Sequence, residues 1–343
     1  MDVAEHDEPP RERGIWAPLG VLLLLSFVTT VPLFRIVLPF PAPLVVLVPL
    51  VATGAVLGWR TGGGLPLAAL WTGLAGSVLW RTVQVGGAYA TFTVGWTLVL
   101  CLAFGLVGAR RVGTGFLAQA LPALGVALVA AGVVVAVVPG GLAGAVALVG
   151  DEVGRRAIAA TREWQRMVAT PEWQDVMASS PAWAESSAQV ERQLAIWPAR
   201  VRIIFPALLA LESLVVMALG WAIYHRIGRS RLGPPLSRWR ELRFDDRLIW
   251  GVVAGLALVA APVTGPLEAL GWNLLVAFGV LYAWRGLGVL AWFLAPGRVM
   301  AVVWVLCTLL FWPVIGAVAV GLGLGDTWFD WRRSARRESQ RSE

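Results

Sequence analysis

The sequence predicts an all-α fold, a polytopic transmembrane helix bundle of about 8–9 helices with a short amphipathic helical insertion. Three observations carry this expectation. The chain is 58% hydrophobic and 14% charged with a mean hydropathy of +0.73, too apolar for a water-soluble domain of its length. Its apolar residues gather into runs of roughly twenty, the length that crosses a bilayer as a helix. Between those runs lie short connections rich in arginine, as expected of cytoplasmic loops.

Taken in order, residues 1–14 form a polar cytoplasmic tail, net acidic and without the basic start and small-residue cleavage site of a signal peptide. The apolar runs are 15–34, 42–59, 64–80, 91–109, 117–138, 203–225, 248–265, 272–295 and 299–324. This division places transmembrane helices one to five within 15–150, the sixth at 203–225 and the C-terminal group within 248–325. Trp16, Trp59, Trp80, Trp250 and Trp272 fall near run ends, where an amphipathic ring prefers headgroup depth.

Orientation follows from arginine. The loop 226–247, RIGRSRLGPPLSRWRELRFDDR, and the turn ARR at 109–111 are expected in the cytoplasm. Alternation then puts the N-terminus inside and the insertion 151–202 outside, where acids and arginines balance. Nine crossings from an inside start would leave the tail 326–343 outside, although its arginines belong inside. One of the last three runs is therefore expected not to cross simply, and the final run, interrupted by Pro313, is the first choice for a kink or hairpin.

Within the insertion, Val153, Ala157, Ala160, Trp164 and Met167 step by four and three, an apolar stripe on a helix. TPEW at 170 and SPAW at 180 each offer a capping hydroxyl followed by proline at the first helical position. Trp183, Val190 and Trp197 repeat every seven residues on the last piece. Three short amphipathic helices are expected, and two roles fit them: packing against the membrane domain, or forming a lid or partner-docking surface. Before the second run, RIVLPFPAPL at 35–44 alternates Pro39, Pro41 and Pro43, which favours an extended outer connection, either a stiff linker or a cap over an outward-opening cavity.

Ionisable groups deep in apolar runs cost several kcal/mol unless paired or hydrated, so they are the first candidate site residues. Glu212 in LLALESLVVMAL and Arg285 in LYAWRGLGV both sit near mid-run. Mutual pairing is one expectation; binding a polar solute or coupling a proton is the other. At the C-terminus, GLGLGDTWFDWRR reads as a helix leaving the bilayer through an aromatic belt. If the helix continues, Asp326 and Asp330 share a face there, and Arg332 and Arg333 reach the cytoplasm.

Catalysis finds little support. All 28 basic residues are arginine, which removes Schiff-base and Walker-type lysine chemistry. His6 and His225 stand apart, so neither a histidine metal cluster nor a serine–histidine constellation is expected. GWRTGGG at 58–64 lacks the ending of a phosphate loop. Cys101 and Cys307 lie in apolar runs and read as small core residues. No enzyme, cofactor or metal is expected. Nucleic acid is not an expected partner, because the arginines are dispersed over several loops.

The closing GLGDTWFDWRR, preceded by RIGRSRLGPPLSRWRELRFDDRLIWG, resembles the C-terminal half of the YybS-like family of bacterial multi-pass membrane proteins. The N-terminal order, beginning LPFPAPLVVLVPLVATGAVLGWRTGGG, is similar to that family too. The family is distantly similar to the substrate-capturing S components of energy-coupling-factor transporters, and more loosely to membrane proteins of the cell-shape machinery. The resemblance implies a six-helix solute-binding core at 15–225, the proline loop in the position of a gating loop, and ATPase or other membrane proteins as partners. The first helix shows no run of alanines four apart for docking on a coupling subunit, and apolar runs continue beyond residue 247. The expected function is a solute-binding component of the bacterial inner membrane, with Glu212 and Arg285 shaping a polar spot. The alternative is a non-catalytic scaffold for cell-envelope or division proteins.

Overall fold

The computed structural model describes residues 20–24, 27, 30–40, 42–237, 239–262, 264–294, 297, 300, 303, 307, 308 and 311–332. These residues are helices and turns, with no strand among them. Four helices are long and apolar enough to cross a bilayer: Ala88–Arg110, Phe116–Val137, Pro181–Ile227 and Pro266–Leu294. They mark a membrane-embedded protein, and their side chains agree: Leu98, Leu102 and Leu106 on the first, and Val126, Val129 and Val133 on the second, remain exposed. Most of the run 15–34, the tail 1–14, the C-terminal residues from 333 and most of 299–310 lie outside the described residues.

The chain divides into two compact units, one from Met1–Arg202 with Glu212–Leu236 and one from Ile203–Leu211 with Ser237–Glu343. In the first unit, α1 is Pro32–Val37, α2 Leu44–Arg60, α3 Leu65–Val85, α4 Ala88–Arg110, α5 Phe116–Val137, α6 Gly141–Val168 and α7 Pro171–Ser179. The long α8, Pro181–Ile227, contributes to both units. Helix α2 is the hub, with Val46, Leu50 and Val51 fully buried. Small residues let its neighbours approach. A side-chain carbon added at Gly54 would stand 3.2 Å from the Tyr224 ring, and one at Gly220 would stand 3.3 Å from Leu50.

The connection from α5 to α6 turns through Gly140 at φ 89° and Gly141 at φ 53°, a left-handed path that glycine takes without penalty. At the other end of α5, the arginine-bearing turns meet. The Gly113 amide donates to the Leu232 carbonyl at 2.8 Å, and Ser230 Oγ donates to the Gly58 carbonyl at 2.8 Å. Gln119 and Trp221 add side-chain bonds to the Leu232 and Pro234 carbonyls. The turns at 58–64 and 109–115 and the loop 228–234 thus share one end of the unit.

Several expectations change in detail. The insertion helix begins at Gly141, ten residues before the expected start at 151, and the third piece does not stop at 202 but runs unbroken to Ile227. Helices do start at Pro171 and Pro181, yet neither Thr170 nor Ser180 caps with its side chain; Thr170 Oγ1 donates back to the Met167 carbonyl instead. The stripe residues Val153, Ala157 and Ala160 are buried, on the helix that packs against α1, while Met167 is exposed. In the proline connection Leu38 is extended. Residues 35–37 finish α1 and Pro43 already has helical angles, because proline restricts the residue before it and leaves its own φ suited to a helix start.

The second unit holds α9, Ile249–Ala260, α10, Pro266–Leu294, and α11, Trp312–Phe329, with short 3₁₀ turns at Trp239–Glu241 and Asp246–Leu248. The 12 residues of α9 rise only about 18 Å, short of the ~30 Å hydrocarbon core. Pro313 lies in the first turn of α11 and starts it, where its missing N–H costs nothing, so no mid-helix kink arises there. Asn273 of α10 bonds the backbone of α8: it donates to the Ile203 carbonyl at 2.7 Å and accepts from the Ala207 amide at 2.8 Å, two groups four residues apart along that helix.

Helices α10 and α11 cross through glycine. A side-chain carbon at Gly286 would fall 1.8 Å from the Ala319 carbonyl oxygen, and one at Gly323 would fall 1.9 Å from that of Tyr282. This contact requires glycine on both sides. It brings Arg285, next to Gly286, within reach of Asp326, one turn beyond Gly323.

Candidate functional site

The proline connection and the helix ends around it enclose a cavity of about 630 Å³ in the first unit, a size suited to a small ligand. Its walls come from Phe40 and Val45, from Thr82 to Thr93 around the α3–α4 turn, and from Leu148 to Arg156 on α6. Helix α4 begins at this cavity and ends at the arginine-bearing turns, so the cavity lies at the opposite end of the unit from them.

Arg156 organises the site. Its Nη1 donates to the Leu38 carbonyl at 2.7 Å and its Nη2 to the Pro39 carbonyl at 3.4 Å. Its Nε pairs with Glu152 at 2.7 Å, and its guanidinium lies 4.9 Å from the centre of the Tyr89 ring. Tyr89 donates its hydroxyl to the Pro39 carbonyl at 2.8 Å. Glu212, reaching from α8, accepts the Phe40 amide at 2.9 Å. Arg35 joins Glu163 at 2.7 Å on the outer edge. A segment whose prolines cannot donate is therefore held through its carbonyls and one amide, which supply the partners that regular structure would have given.

Glu152 bonds both Arg155 and Arg156. Burial opposes its ionisation, but the two arginine hydrogen bonds and charges outweigh it and hold the carboxyl below its ordinary value near 4.5. A depressed folded-state value means the stabilisation is complete above the unfolded value and is lost as pH falls through the folded one. Hydrogen exchange at the amides of residues 35–40 should accordingly be slow at neutral pH and accelerate as the pH falls below the ordinary glutamate value and Glu152 protonates.

Two wall residues keep capacity for a ligand. Asp151 has no hydrogen bond or ion pair among the described residues, and Arg155 spends one Nη on Glu152 while its side chain stays 63% exposed. They lie four positions apart on the same face of α6.

The second polar cluster belongs to the other unit. One oxygen of Asp326, Oδ2, accepts Arg285 Nε at 3.0 Å and Arg332 Nη2 at 2.6 Å, and all three side chains are at most 4% exposed. Arg285 Nη1 reaches Asp246 at 2.9 Å, and Arg332 Nη1 donates to the Arg240 carbonyl at 2.8 Å. Arg243 forks onto both oxygens of Asp330. Among the described residues the second oxygen of Asp326 and Arg332 Nε are buried without a partner. The cluster ties the end of α11 to the arginine-rich loop.

Glu212 and Arg285 do not pair with each other. Glu212 holds the Phe40 amide and Arg285 holds Asp326 and Asp246. Asp326 and Asp330 do not share a helical face either, because the helix ends at Phe329 and Asp330 takes left-handed angles at φ 40°. Arg332 does not reach solvent: it turns back and is buried at 1% exposure. Arg333 lies outside the described residues. Sequence reasoning missed Arg156, Glu152 and Tyr89. Their only signal was the Glu152/Arg156 spacing of four beside the Val153–Ala157 stripe.

Among the described residues no histidine, cysteine, aspartate and glutamate group is arranged to hold a metal. Glu212→Ala strands the Phe40 amide and should cost about 1–3 kcal/mol in thermal unfolding of the detergent-solubilised protein; Glu212→Gln keeps an acceptor oxygen and should cost less. Compared with protein-family models, with curated proteins and with solved structures, the chain has no match.

Proposed function

We propose that the chain is a multi-pass protein of the bacterial inner membrane whose first unit captures a small solute from the outer side and passes it to a partner. The observation that carries this reading is the polar cavity beneath a tethered proline connection, with Asp151 and Arg155 available in its wall. Its place at the end opposite the arginine-bearing turns supports an outward opening, since such turns belong in the cytoplasm. The resemblance to YybS-like proteins and to S components of energy-coupling-factor transporters points the same way. Glu212 acts by holding the cavity's lid segment, and Arg285 belongs to a structural cluster.

Small molecules released on denaturing the full-length protein, isolated in nanodiscs, test this reading. The wild type should release a solute in near one-to-one amount that the Asp151→Asn/Arg155→Gln variant lacks. The same released set from both proteins contradicts the reading. A scaffold function is the second reading, favoured by the exposed Val176, Trp183 and Ile196 on α7 and the start of α8. Native pull-down separates the two. A coupling subunit with an ATPase pair supports capture and handover, and envelope or division proteins lost on deleting 170–197 support the scaffold.

A further inference from the structure

The polar cavity has an apolar continuation. A second cavity of about 560 Å³ is lined by α4 from Thr91 to Val99, by Val134, Val135 and Val138 of α5, and by Gly141 to Leu148 of α6. Ala88 and Leu148 belong to the walls of both. Along α4, Ala88, Tyr89, Ala90 and Thr93 line the polar chamber, and Ala88, Thr91, Phe92, Gly95, Trp96 and Val99 line the apolar one, which reaches further along the helix. The apolar chamber lies between two helices long enough to span the bilayer, α4 and α5, while the polar chamber lies at the start of α4. A charged head at the helix ends and a hydrocarbon tail along the spans is the arrangement that an amphiphile takes in the bilayer itself.

The charges decide the kind of head. Arg156 has its donors committed to Glu152 and to backbone carbonyls, and Glu152 is shared by two arginines, so neither is spare. Asp151 and Arg155 remain, one acceptor and one donor of opposite sign on neighbouring turns of α6. A head with an ammonium and a phosphate satisfies both; a simple anion or cation leaves one of them facing it with the wrong sign or none.

We propose that the captured solute is a single-chain zwitterionic amphiphile, its head between Asp151 and Arg155 and its tail in the chamber beside Gly95. This proposal rests on the solute-capture reading and names the class of solute. Gly95 provides a selective test, because a side chain added there meets nothing within 4 Å and would project into the tail chamber without displacing protein.

The probe is 1-myristoyl lysophosphatidylethanolamine, added to the full-length protein in nanodiscs and read as adducts by native mass spectrometry. Glycerophosphoethanolamine serves as the head alone. The wild type should carry one lysolipid per chain. Gly95→Trp should reduce that adduct at least tenfold and leave binding of the head alone unchanged, and Asp151→Asn/Arg155→Gln should reduce both. Equal lysolipid adducts on all three proteins, or a Gly95→Trp protein that keeps the wild-type adduct, would overturn the proposal. If no lysolipid binds but the wild type still releases a water-soluble solute that Asp151→Asn/Arg155→Gln lacks, the amphiphile is wrong and solute capture stands. If neither is found, both fall.

Discussion

Asp326→Asn is expected to be the most damaging conservative substitution in the second unit. Its one carboxylate oxygen neutralises both Arg285 and Arg332, and neither guanidinium has solvent to fall back on. Removing one partner of a buried pair costs about 3–5 kcal/mol, because the remaining charge stays buried without compensation; here Arg332 loses its carboxylate partner and Arg285 is left with Asp246 alone. Asparagine keeps the shape and one acceptor, so the loss reports charge and not packing. Thermal unfolding of the detergent-solubilised protein, followed by tryptophan fluorescence, should show a large fall in midpoint. The double variant Asp326→Asn/Arg332→Met should recover part of the loss, since it removes the stranded cation. Equal stability of Asp326→Asn and wild type would mean that water solvates the cluster.

Gly323→Val should have an effect of similar size through a different route. The added carbon falls on the Tyr282 carbonyl, which belongs to a helix backbone and cannot swing aside. Overpacking a core typically costs about 1–3 kcal/mol when side chains can shift, and a backbone-to-backbone clash exceeds that range because whole helices must part. Separation of α10 from α11 also draws Asp326 away from Arg285, so the packing loss carries an electrostatic loss with it. Gly321→Val is the control. A side chain there meets nothing within 4 Å, and the protein should unfold near the wild-type temperature. If the two variants behave alike, close glycine contact does not hold the helices.

What was readable in the sequence and what was not divides along a physical line. Apolar runs between arginine-rich connections are a local property, and the helices Ala88–Arg110 and Phe116–Val137 fall within a few residues of the expected 91–109 and 117–138. Proline at a first helical turn is also local, and Pro171 and Pro181 begin helices. Partner choice is not local. Arg285 and Glu212 stood out as buried charges, yet Arg285 finds Asp326 41 positions away and Glu212 finds the Phe40 amide 172 positions away. Asp326 and Arg332 looked like an exit into the cytoplasm because a continued helix would carry them there. The left-handed turn at Asp330 sends the chain back, and Asp tolerates that conformation as few other residues do. The cavity was least visible. Its walls combine the α3–α4 turn, the proline connection and one face of α6, and only the last shows a pattern along the chain.

We propose that the polar cavity of the first unit opens to the outside of the cell, where it can take up a solute. The direct measurement is labelling by a membrane-impermeant maleimide in intact cells, using Asp151→Cys in a background where Cys101 and Cys307 are serine. An outward-opening cavity gives labelling at position 151 without permeabilisation, and labelling of Arg231→Cys, in the arginine-rich loop, only after it. Labelling of position 151 only in permeabilised cells would place the cavity on the cytoplasmic side and contradict capture from outside.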